Sequence, residues 1–320
     1  MVKQNKCCKN EKKIVSLQRI MSWKTLTYRV VSWLKFHLTA WNTGGEGVHS
    51  PYLFEWVRMV MSDRNSYYKW EELEVCRKEM LRDMRELEFV DYGSGSAMRS
   101  RSLENGSKAA YSLGLRETRR VCDIARRSLA KRKYAEMLFR LVSWLGTPCS
   151  LDDGSRAAYR LEFSGLTIVE MGTSLGVTTA YLAAADSRNK VVTLEGCEAV
   201  AEVAKENWRA LGLENIQCVV GEITVDSLQL VVDSLQKIDV AFIDANHTYA
   251  STRAYFDVLA SRVGEKGVIV IDDIHHNLDM ERAWQDICAD DRVTSTMDLY
   301  QMGLVFFDSH YWHRNYRLRL

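Results

Sequence analysis

Acidic side chains stand at four points where an apolar run of the chain ends. The runs LTIVE, VVTLE, VAFID and VIVIDD end in Glu170, Glu195, Asp244 and the pair Asp272-Asp273. If these runs are parallel strands of one sheet, their carboxyl ends share an edge and the acids converge there. Neighbouring buried carboxylates are costly unless protons or a cation compensate them, so we expect this edge to bind something positively charged.

A glycine loop follows the first of these acids. The segment 170–176 reads EMGTSLG, so Gly172 and Gly176 have the spacing G-x-x-x-G. Small residues let the backbone approach a ligand, and the N–H groups of the next helix lie close by. A dinucleotide loop has the spacing G-x-G-x-x-G and meets a pyrophosphate. A carboxylate ahead of the loop favours instead a ligand with a cationic sulfonium and an amino group.

The next two acidic ends suggest how the rest of such a ligand would be held. Glu195, followed by Gly196, can accept both hydroxyls of a ribose, which fits a nicotinamide dinucleotide as well as an S-adenosyl ligand. Gly221-Glu222 follows the third run, where an adenine edge would lie. Glu222 is alternatively an exposed acid of a loop.

Two interpretations remain open for the three aspartates. Asp244, Asp272 and Asp273 offer hard oxygen ligands for Mg²⁺ or another divalent cation. The alternative is a structural role in helix capping, because Asp273 or Asn277 is a suitable N-cap for a helix at 279–289, and Asn246 for the helix that follows it.

Three histidines lie beside these acids. His247, His275 and His276 fall on the same predicted rim, and histidine is the natural proton acceptor near neutral pH. We expect one of them, His247 or His275, to act as a general base together with Asp244.

The elements that position these residues alternate between strands and helices. The predicted strands are 166–171, 191–195, 216–220, 238–244, 267–273, 293–298 and 303–307. Helices are predicted near 175–186, 198–212, 224–236, 249–263 and 279–289. The alternation predicts an α/β fold with a Rossmann-like, doubly wound, mostly parallel seven-stranded sheet. The last two strands are joined only by 299–302, which predicts an antiparallel hairpin at the sheet edge.

The N-terminal part of the chain has a different pattern. Residues 1–13 are lysine-rich and are expected to form a flexible tail, and 14–133 a helical, partly basic cap on a domain at 134–320. Apolar residues recur at helical spacing over 14–41, which favours packing against the protein, with peripheral membrane contact as the alternative. A charged helix is predicted at 66–88, with a solvated Glu74–Lys78 pair.

The segment LEFVDYGSGS at 87–96 imitates a nucleotide-binding strand and loop. The stretch 99–133 after it holds 11 Lys or Arg and three acids, and no second apolar run ending in an acid. A Rossmann-type unit requires such a strand. We therefore interpret 87–134 as a loop and a basic helical segment, a solvated face or an electrostatic guide for an anionic partner.

Composition limits the remaining possibilities. The 320 residues are 47% hydrophobic and 27% charged with a net charge of +1, which is ordinary for a globular protein. None of the eight cysteines forms a C-x-x-C pair, which is typical of reduced thiols. We see neither a signal peptide nor a membrane span and expect a cytoplasmic protein. A homodimer is left open.

Four segments in the right order carry a family resemblance. VEMGTSLGVTTAYLA, VVTLEGCEAV, VAFIDANHTYASTRAYF and GVIVIDDIHHNLDMERAW resemble successive motifs of class I S-adenosylmethionine-dependent methyltransferases. They are most similar to the O-methyltransferase branch with catechol-type and macrolide-sugar enzymes, over about 160–308. GEGVHSPYLF and VDYGSGS resemble a group of bacterial methyltransferase-like proteins.

The resemblance implies S-adenosylmethionine as cofactor and methyl transfer to a small-molecule hydroxyl. Residues 172–174, Gly176 and Glu170 would hold its methionine part; Glu195 and Gly196 would hold the ribose, and Gly221 and Glu222 would lie near the adenine. Asp244 would touch the cofactor and, with Asp272 and Asp273, bind a divalent ion that lowers the acceptor pKa. The implied cofactor-binding loop thus comprises Gly172, Thr173 and Ser174.

This chain departs from the catechol-type pattern in two ways. It has Asp-Asp where that pattern has Asp-Asn after the fifth strand, and it lacks the lysine used as a base after the fourth strand. His247 or His275 would replace that lysine. The alternatives are a non-catalytic cofactor-binding protein and a methyltransferase acting on protein or nucleic acid. Asp-Ala-Asn-His in place of an Asn/Asp-Pro-Pro-aromatic motif speaks against methylation of bases.

Overall fold

The computed structural model describes residues 27–40, 47–48, 50–91, 115–147, 165–309 and 313–320. The predicted tail 1–13 and the GSGS part of the imitating loop lie outside these residues. The N-terminal elements are α1 (27–39), α2 (Pro51–Trp56, continued by a π-helical turn Val57–Met61), α3 (Lys69–Met80), β1 (Glu86–Asp91), β2 (Leu115–Arg120), α4 (Val121–Ser128) and α5 (Arg132–Leu145).

Strands and helices alternate in the rest of the chain, as predicted. They are β3 (Thr167–Met171), α6 (Val177–Ala184), β4 (Lys190–Glu195), α7 (Glu198–Ala210), β5 (Ile216–Val220), α8 (Val225–Asp233), β6 (Ile238–Ile243), α9 (Tyr249–Ala260), β7 (Val263–Asp272), α10 (Leu278–Cys288), β8 (Ser295–Asp298), β9 (Met302–Phe306) and β10 (Arg314–Arg317).

The main sheet has the strand order β10-β8-β9-β7-β6-β3-β4-β5. Strands β3 to β7 are parallel to one another. Within this sheet the chain enters at the central strand β3 and continues outward through β4 to β5. It then returns to the other side of β3 with strand β6. This reversal places the ends of β3 and β6 side by side, which is the position where doubly wound sheets bind ligands. The Rossmann-like α/β fold is confirmed.

The far side of the sheet differs from the sequence prediction in its edge strand and in the number of strands. Strands β8 and β9 form the predicted antiparallel pair, but β9 lies between β7 and β8. A further strand, β10, pairs in parallel with β8 and forms the edge, so the sheet has eight strands rather than seven. The four-residue run RNYR has three polar residues, which hid β10 from a search for apolar runs.

The cap is not purely helical, and the interpretation of 87–134 as a loop and a helix is wrong. Strands β1 and β2 pair antiparallel in a separate two-stranded sheet, with Glu86 opposite Arg120. Helix α4 follows β2 directly, and α5 begins at Arg132. The rejection of a nucleotide-binding unit at 87–96 holds, because β1 has no parallel neighbour among the described strands.

Helix α3 ends eight residues earlier than predicted, and its residue Glu74 is buried instead of solvated. Glu74 is 8% exposed, lies 2.9 Å from Arg77 instead of pairing with Lys78, and accepts a hydrogen bond from the Tyr181 hydroxyl of α6 at 2.6 Å. Charge density had suggested a surface face, but Trp70 and Leu73 of the same helix are buried. This helix therefore attaches the cap to the α/β domain.

Buried clusters line both faces of the sheet and join the cap to it. Helices α2 and α5 pack on one face, where Trp56, Leu53 and Leu138 are completely buried. Each such side chain contributes about 1.5–3 kcal/mol relative to an exposed one. A third cluster joins α3 and α4 to α6 and α7, beside the glycine loop. The cap is thereby fixed next to the carboxyl edge of the sheet.

Helix α1 packs against the α/β domain with one side only. Phe36 is 5% exposed, whereas Val31 and Leu38 on the outer side are 62% and 84% exposed. The prediction of packing against the protein is confirmed for the inner side. No helix among the described residues is long and apolar enough to cross a bilayer.

Candidate functional site

Three loops meet at the carboxyl edge of the sheet, and Gly172 is their point of closest approach. Its N–H donates to the Leu194 carbonyl at 3.0 Å, and the Asp244 N–H donates to the Met171 carbonyl at 2.9 Å. Gly172 has φ +94°, and a Cβ there would lie 2.1 Å from the Asp244 carbonyl oxygen. Only glycine fits this position, so the G-x-x-x-G spacing reflects a structural need of the edge.

Glu170 lies completely buried at the end of β3. Its Oε2 accepts hydrogen bonds from the hydroxyls of Thr179 and Thr193, the latter at 2.7 Å, while Oε1 has no partner among the described residues. Burial raises the pKa of Glu170 to about 7, with the two threonines opposing. A buried carboxylate oxygen without a donor is a suitable site for a cationic ligand group.

Glu195 lies at the end of the neighbouring strand and is half-buried. Its Oε2 accepts from the Ser174 N–H at 2.7 Å and its Oε1 from the Cys197 N–H at 2.9 Å. Burial raises its pKa, and these backbone donors limit the increase. Each carboxylate oxygen keeps a further lone pair, so Glu195 can still accept from vicinal hydroxyls.

The remaining predicted cofactor residues surround the same edge. Thr173 is buried and its hydroxyl contacts that of Thr193. Gly221, whose N–H donates to the Glu195 carbonyl, has open space where a Cβ would be. Glu222 is exposed, as the loop interpretation allowed. Gly176 begins α6 with φ +73° and closes against Trp208, so its role in the structure is packing.

Strained backbone conformations are concentrated at this edge. The non-glycine residues with positive φ among the described ones are Ser174, Asn246, Asp273 and Tyr300. They follow β3, β6, β7 and β8 respectively, so each lies in a loop at the carboxyl ends or in the turn beside them. Such conformations persist where the surrounding structure imposes them, and they cluster at functional sites.

The three aspartates at the ends of β6 and β7 differ in their electrostatic surroundings. Burial and neighbouring acids raise the pKa of Asp244 and of Asp272 well above the usual value. Asp272 is 5% exposed, and its Oδ1 has no hydrogen-bond partner among the described residues. Burial alone would also raise the pKa of Asp273, but His276, His247 and Arg29 lower it. Negative charge at the rim therefore resides mainly on Asp273.

Helix capping does not explain the aspartates. Asn277 caps α10 by accepting from the Met280 N–H at 2.9 Å, as one of the two predicted candidates. Thr248 caps α9, and the Asn246 side chain instead donates to the Tyr255 hydroxyl. The capping role of Asn246 is wrong, and Asp273 is left to contact His276 at 3.2 Å.

His247 lies on the rim between the two acidic loops. Its Nε2 is 3.5 Å from the Asp244 carboxylate, and its ring stacks on that of His276 at a centroid distance of 5.7 Å. Burial lowers the pKa of His247 and His276 adds to this, while Asp273 opposes it. The imidazole is therefore neutral at pH 7 and able to accept a proton.

His275 has a different environment, although it was predicted as an equivalent candidate. Its Nδ1 contacts Glu281 and its Nε2 lies 3.0 Å from the Asp298 carboxylate, so both ring nitrogens have carboxylate partners. Burial alone would lower the pKa of His275, but these two hydrogen bonds raise it to about 9. An imidazolium held in this way has no free nitrogen for a substrate proton.

The contacts of His275 with Glu281 and Asp298, here called the His275 clamp, predict that the free energy of unfolding depends on pH. The folded-state pKa of His275, about 9, exceeds its ordinary value of 6.5. The protonated ring therefore contributes fully to the free energy of unfolding below pH 6.5, and this contribution is lost as the pH rises through 9. The difference corresponds to about 3 kcal/mol for this buried group. Denaturant unfolding of the wild type should show this loss between pH 6.5 and 9.

A His275→Gln variant should be less stable at pH 6.5 and should lose much less stability over the same interval. His313→Gln, which changes an exposed histidine, should retain the wild-type dependence. Equal pH profiles for all three proteins would show that the clamp is not charged in the folded state.

The predicted metal ligands do not form a ready coordination site. Among the described residues, no group of three or more His, Cys, Asp or Glu side chains is arranged to hold a metal ion. Asp273 instead contacts His276, with Oδ2 3.2 Å from Nδ1. The residues present therefore do not fit a divalent ion as they stand.

Sequence reasoning missed two contributions from the cap. The Ser128 hydroxyl of α4 lies 2.7 Å from the Ser174 hydroxyl in the glycine loop. Arg29 of α1 contacts the ring of His276, with Nη2 2.9 Å from Nδ1. Neither residue lies in a motif, so only the tertiary structure brings them to the edge.

Comparison with known proteins identifies the segment that carries this edge. Residues 169–274 match the family model described as a methyltransferase domain. No curated protein sequence matches the chain significantly.

Solved structures with a similar fold include three methyltransferases. The O-methyltransferase TomG from Streptomyces achromogenes is 17% identical over 58% of this chain and 87% of its own, with a TM-score of 0.46. The O-methyltransferase from Bacillus cereus is 22% identical over 57% and 95%, with a TM-score of 0.39. The methyltransferase PaMTH1 of Podospora anserina is 10% identical over 77% and 99%, with a TM-score of 0.44. These likenesses concern the fold alone.

Proposed function

We propose that this chain is an S-adenosylmethionine-dependent methyltransferase of class I that methylates the hydroxyl of a small molecule. Its residues 169–274 match the family model of a methyltransferase domain. The observation that carries the proposal is a neutral imidazole, His247, on the rim between the loops after β6 and β7. A neutral base is what transfer to a hydroxyl requires, because the oxygen must lose its proton.

The residues of the edge fit S-adenosylmethionine. Glu170 offers its unpartnered Oε1 to a cationic group, and Glu195 has lone pairs for the ribose hydroxyls. Gly221 has open space where a side chain would lie, so a ligand can approach the backbone there. When bound, the cofactor supplies an electrophilic methyl group on a sulfonium.

The side chains of the rim would prepare the acceptor. His247 removes the hydroxyl proton, and the carboxylate of Asp273 stabilises the imidazolium that results. Fixing the oxygen in line with the reacting carbon contributes most of the rate, since orientation replaces a bimolecular encounter. The cap, joined to the glycine loop through Ser128 and Ser174, would exclude water and select the acceptor.

We propose that this chemistry proceeds through His247 rather than through a divalent ion at Asp244, Asp272 and Asp273. The support is that no group of three or more His, Cys, Asp or Glu side chains among the described residues is arranged to hold a metal ion, and that Asp273 contacts His276 instead. Activity that is unchanged by EDTA and by added Mg²⁺ is the expected result. Loss of activity with EDTA and its recovery with Mg²⁺ would restore the metal hypothesis.

The cofactor is tested by calorimetry with the whole chain. S-adenosylmethionine and S-adenosylhomocysteine should bind, and NAD should not. The pKa of Glu170 is about 7, so this side chain becomes negatively charged as the pH rises from 6 to 8. S-adenosylmethionine, a cation, should therefore bind more tightly over this interval, by up to about tenfold per pH unit below that pKa. Glu170→Gln should bind more weakly and without this dependence. Absence of cofactor binding by the wild type would overturn the proposed function.

A further inference from the structure

Helix α1 is fixed over the loop that follows β7. The Tyr28 hydroxyl donates to Glu281 at 2.9 Å, and the Tyr300 hydroxyl donates to the Arg29 carbonyl at 3.2 Å. The buried Phe36 ring lies 5.3 Å from the Tyr300 ring. These contacts hold the first turns of α1 in one register, so the side chain of Arg29 has a defined position at the rim.

Arg29 is held there by His276. Its Nε donates to the His276 carbonyl at 3.2 Å, and its Nη2 lies 2.9 Å and 3.1 Å from the two ring nitrogens. A neutral imidazole has one acceptor nitrogen, so only one ring contact is a hydrogen bond. Because Nδ1 also faces Asp273, the consistent assignment has Nδ1–H donating to Asp273 and Nε2 accepting from Arg29.

The charge of Arg29 has no direct counterion in the part of the chain that the structure describes. Its hydrogen bonds go to the His276 ring and a backbone carbonyl, and it forms no salt bridge with a described carboxylate, Asp273 being the acid whose pKa it lowers. Its Nη1 makes no hydrogen bond to a described residue. A planar guanidinium with an unused edge is suited to a carboxylate, which it can bind through two parallel hydrogen bonds.

Arg29 lies close to the place where the methyl acceptor is expected to bind. The His276 ring that Arg29 contacts also stacks on the ring of His247, so the arginine and the base assigned above contact the same side chain. The negative charge of Asp273 on this rim would otherwise repel an anion. The positive charge of Arg29 beside the rim offsets this repulsion and allows an anionic acceptor to approach.

We propose that Arg29 recognises a carboxylate on the acceptor, so that the substrates of this enzyme are hydroxyl compounds that also carry a carboxylate. The proposal rests on the proposed function and names its substrate class. It makes α1, which lies outside the matched domain 169–274, part of the acceptor site. It also gives a role to the hydrogen bonds of Tyr28 and Tyr300, which hold the helix beside the loop after β7.

The test compares acceptors that differ only in the carboxylate. Catechol is matched with 3,4-dihydroxybenzoate, and phenol with 2-hydroxybenzoate. For each compound, KM is measured from S-adenosylhomocysteine formation, and Kd by calorimetry on the protein saturated with S-adenosylhomocysteine. The carboxylated member of a pair should bind about 10- to 100-fold more tightly, which is the effect of one charge-assisted interaction.

Arg29→Gln should remove this preference and leave the Kd of S-adenosylmethionine unchanged, and Arg29→Lys should restore part of it. Lys35→Gln, which removes an exposed cation from the same helix, is the matched control and should behave as the wild type. Equal binding of both members by the wild type, binding of neither, or equal weakening of both in Arg29→Gln would overturn the proposal. Failure to bind S-adenosylhomocysteine would instead remove the proposed function on which it rests.

Discussion

Replacing His247 by glutamine is expected to lower kcat by about 10²- to 10⁴-fold, the usual contribution of a general base. The Kd of S-adenosylmethionine should stay near the wild-type value, because no hydrogen bond joins His247 to Glu170 or Glu195. Glutamine keeps the approximate size of the ring and can accept a hydrogen bond, but it cannot take a proton. The measurement is the initial rate of S-adenosylhomocysteine formation at saturating acceptor.

The pH dependence of the rate gives a second, independent readout of the same residue. Since burial lowers the pKa of His247, the wild-type kcat/KM should rise with pH and level off below the ordinary histidine value of 6.5. His247→Gln should lack this rise. His275→Gln is the informative control, because its imidazole is held between two carboxylates and should not supply the base. A larger loss of kcat in His275→Gln than in His247→Gln would contradict the assignment.

The sequence allowed prediction of the carboxyl edge because its signals are local. An apolar run fixes a strand, and the acid after it fixes what stands at the strand end. Glu170, Glu195, Asp244 and Asp272 all end or follow strands of the parallel sheet at this edge. A doubly wound sheet then brings these residues together whatever the details of the helices.

The parts that could not be predicted depend on contacts between distant segments. His275 and His276 are adjacent in sequence, yet one lies between Glu281 and Asp298 and the other on the rim beside Arg29. Their spacing from the acids is nearly the same, so only the strained turn at Asp273 and the packing of α1 separate their roles.

The cap shows the same limit. Charged helices are usually solvated, but Glu74 is buried because its partners, Arg77 and Tyr181, lie on the inner side of α3. The β1–β2 hairpin was missed because β2 reads LRETRR, with five polar residues in six. A strand on a small, exposed sheet needs little apolar character, so its pairing partner determines it more than its composition does.

Replacing Gly172 by alanine should weaken S-adenosylmethionine binding by at least about 100-fold, the effect expected from an ångström-scale misplacement of binding groups. The new Cβ would lie 2.1 Å from the Asp244 carbonyl oxygen, and both atoms belong to the backbone or are attached directly to it. Relief requires the loops after β3 and β6 to separate. That movement displaces Glu170 and the glycine loop from Asp244, so the cofactor contacts and the base are lost together. Calorimetry with S-adenosylmethionine measures the effect directly.

Gly212→Ala provides the control that separates backbone strain from this clash. Gly212 also has a positive φ, +66°, but nothing lies within 4 Å of the position of its Cβ. Alanine there should cost about 1 kcal/mol or slightly more in unfolding free energy and leave cofactor binding unchanged. If Gly172→Ala remains folded and binds the cofactor as tightly as Gly212→Ala does, the loops at the edge do not require their close approach. The site would then have to be held by side chains, and Glu195 with its two backbone donors, Ser174 and Cys197, would become the element on which cofactor binding depends.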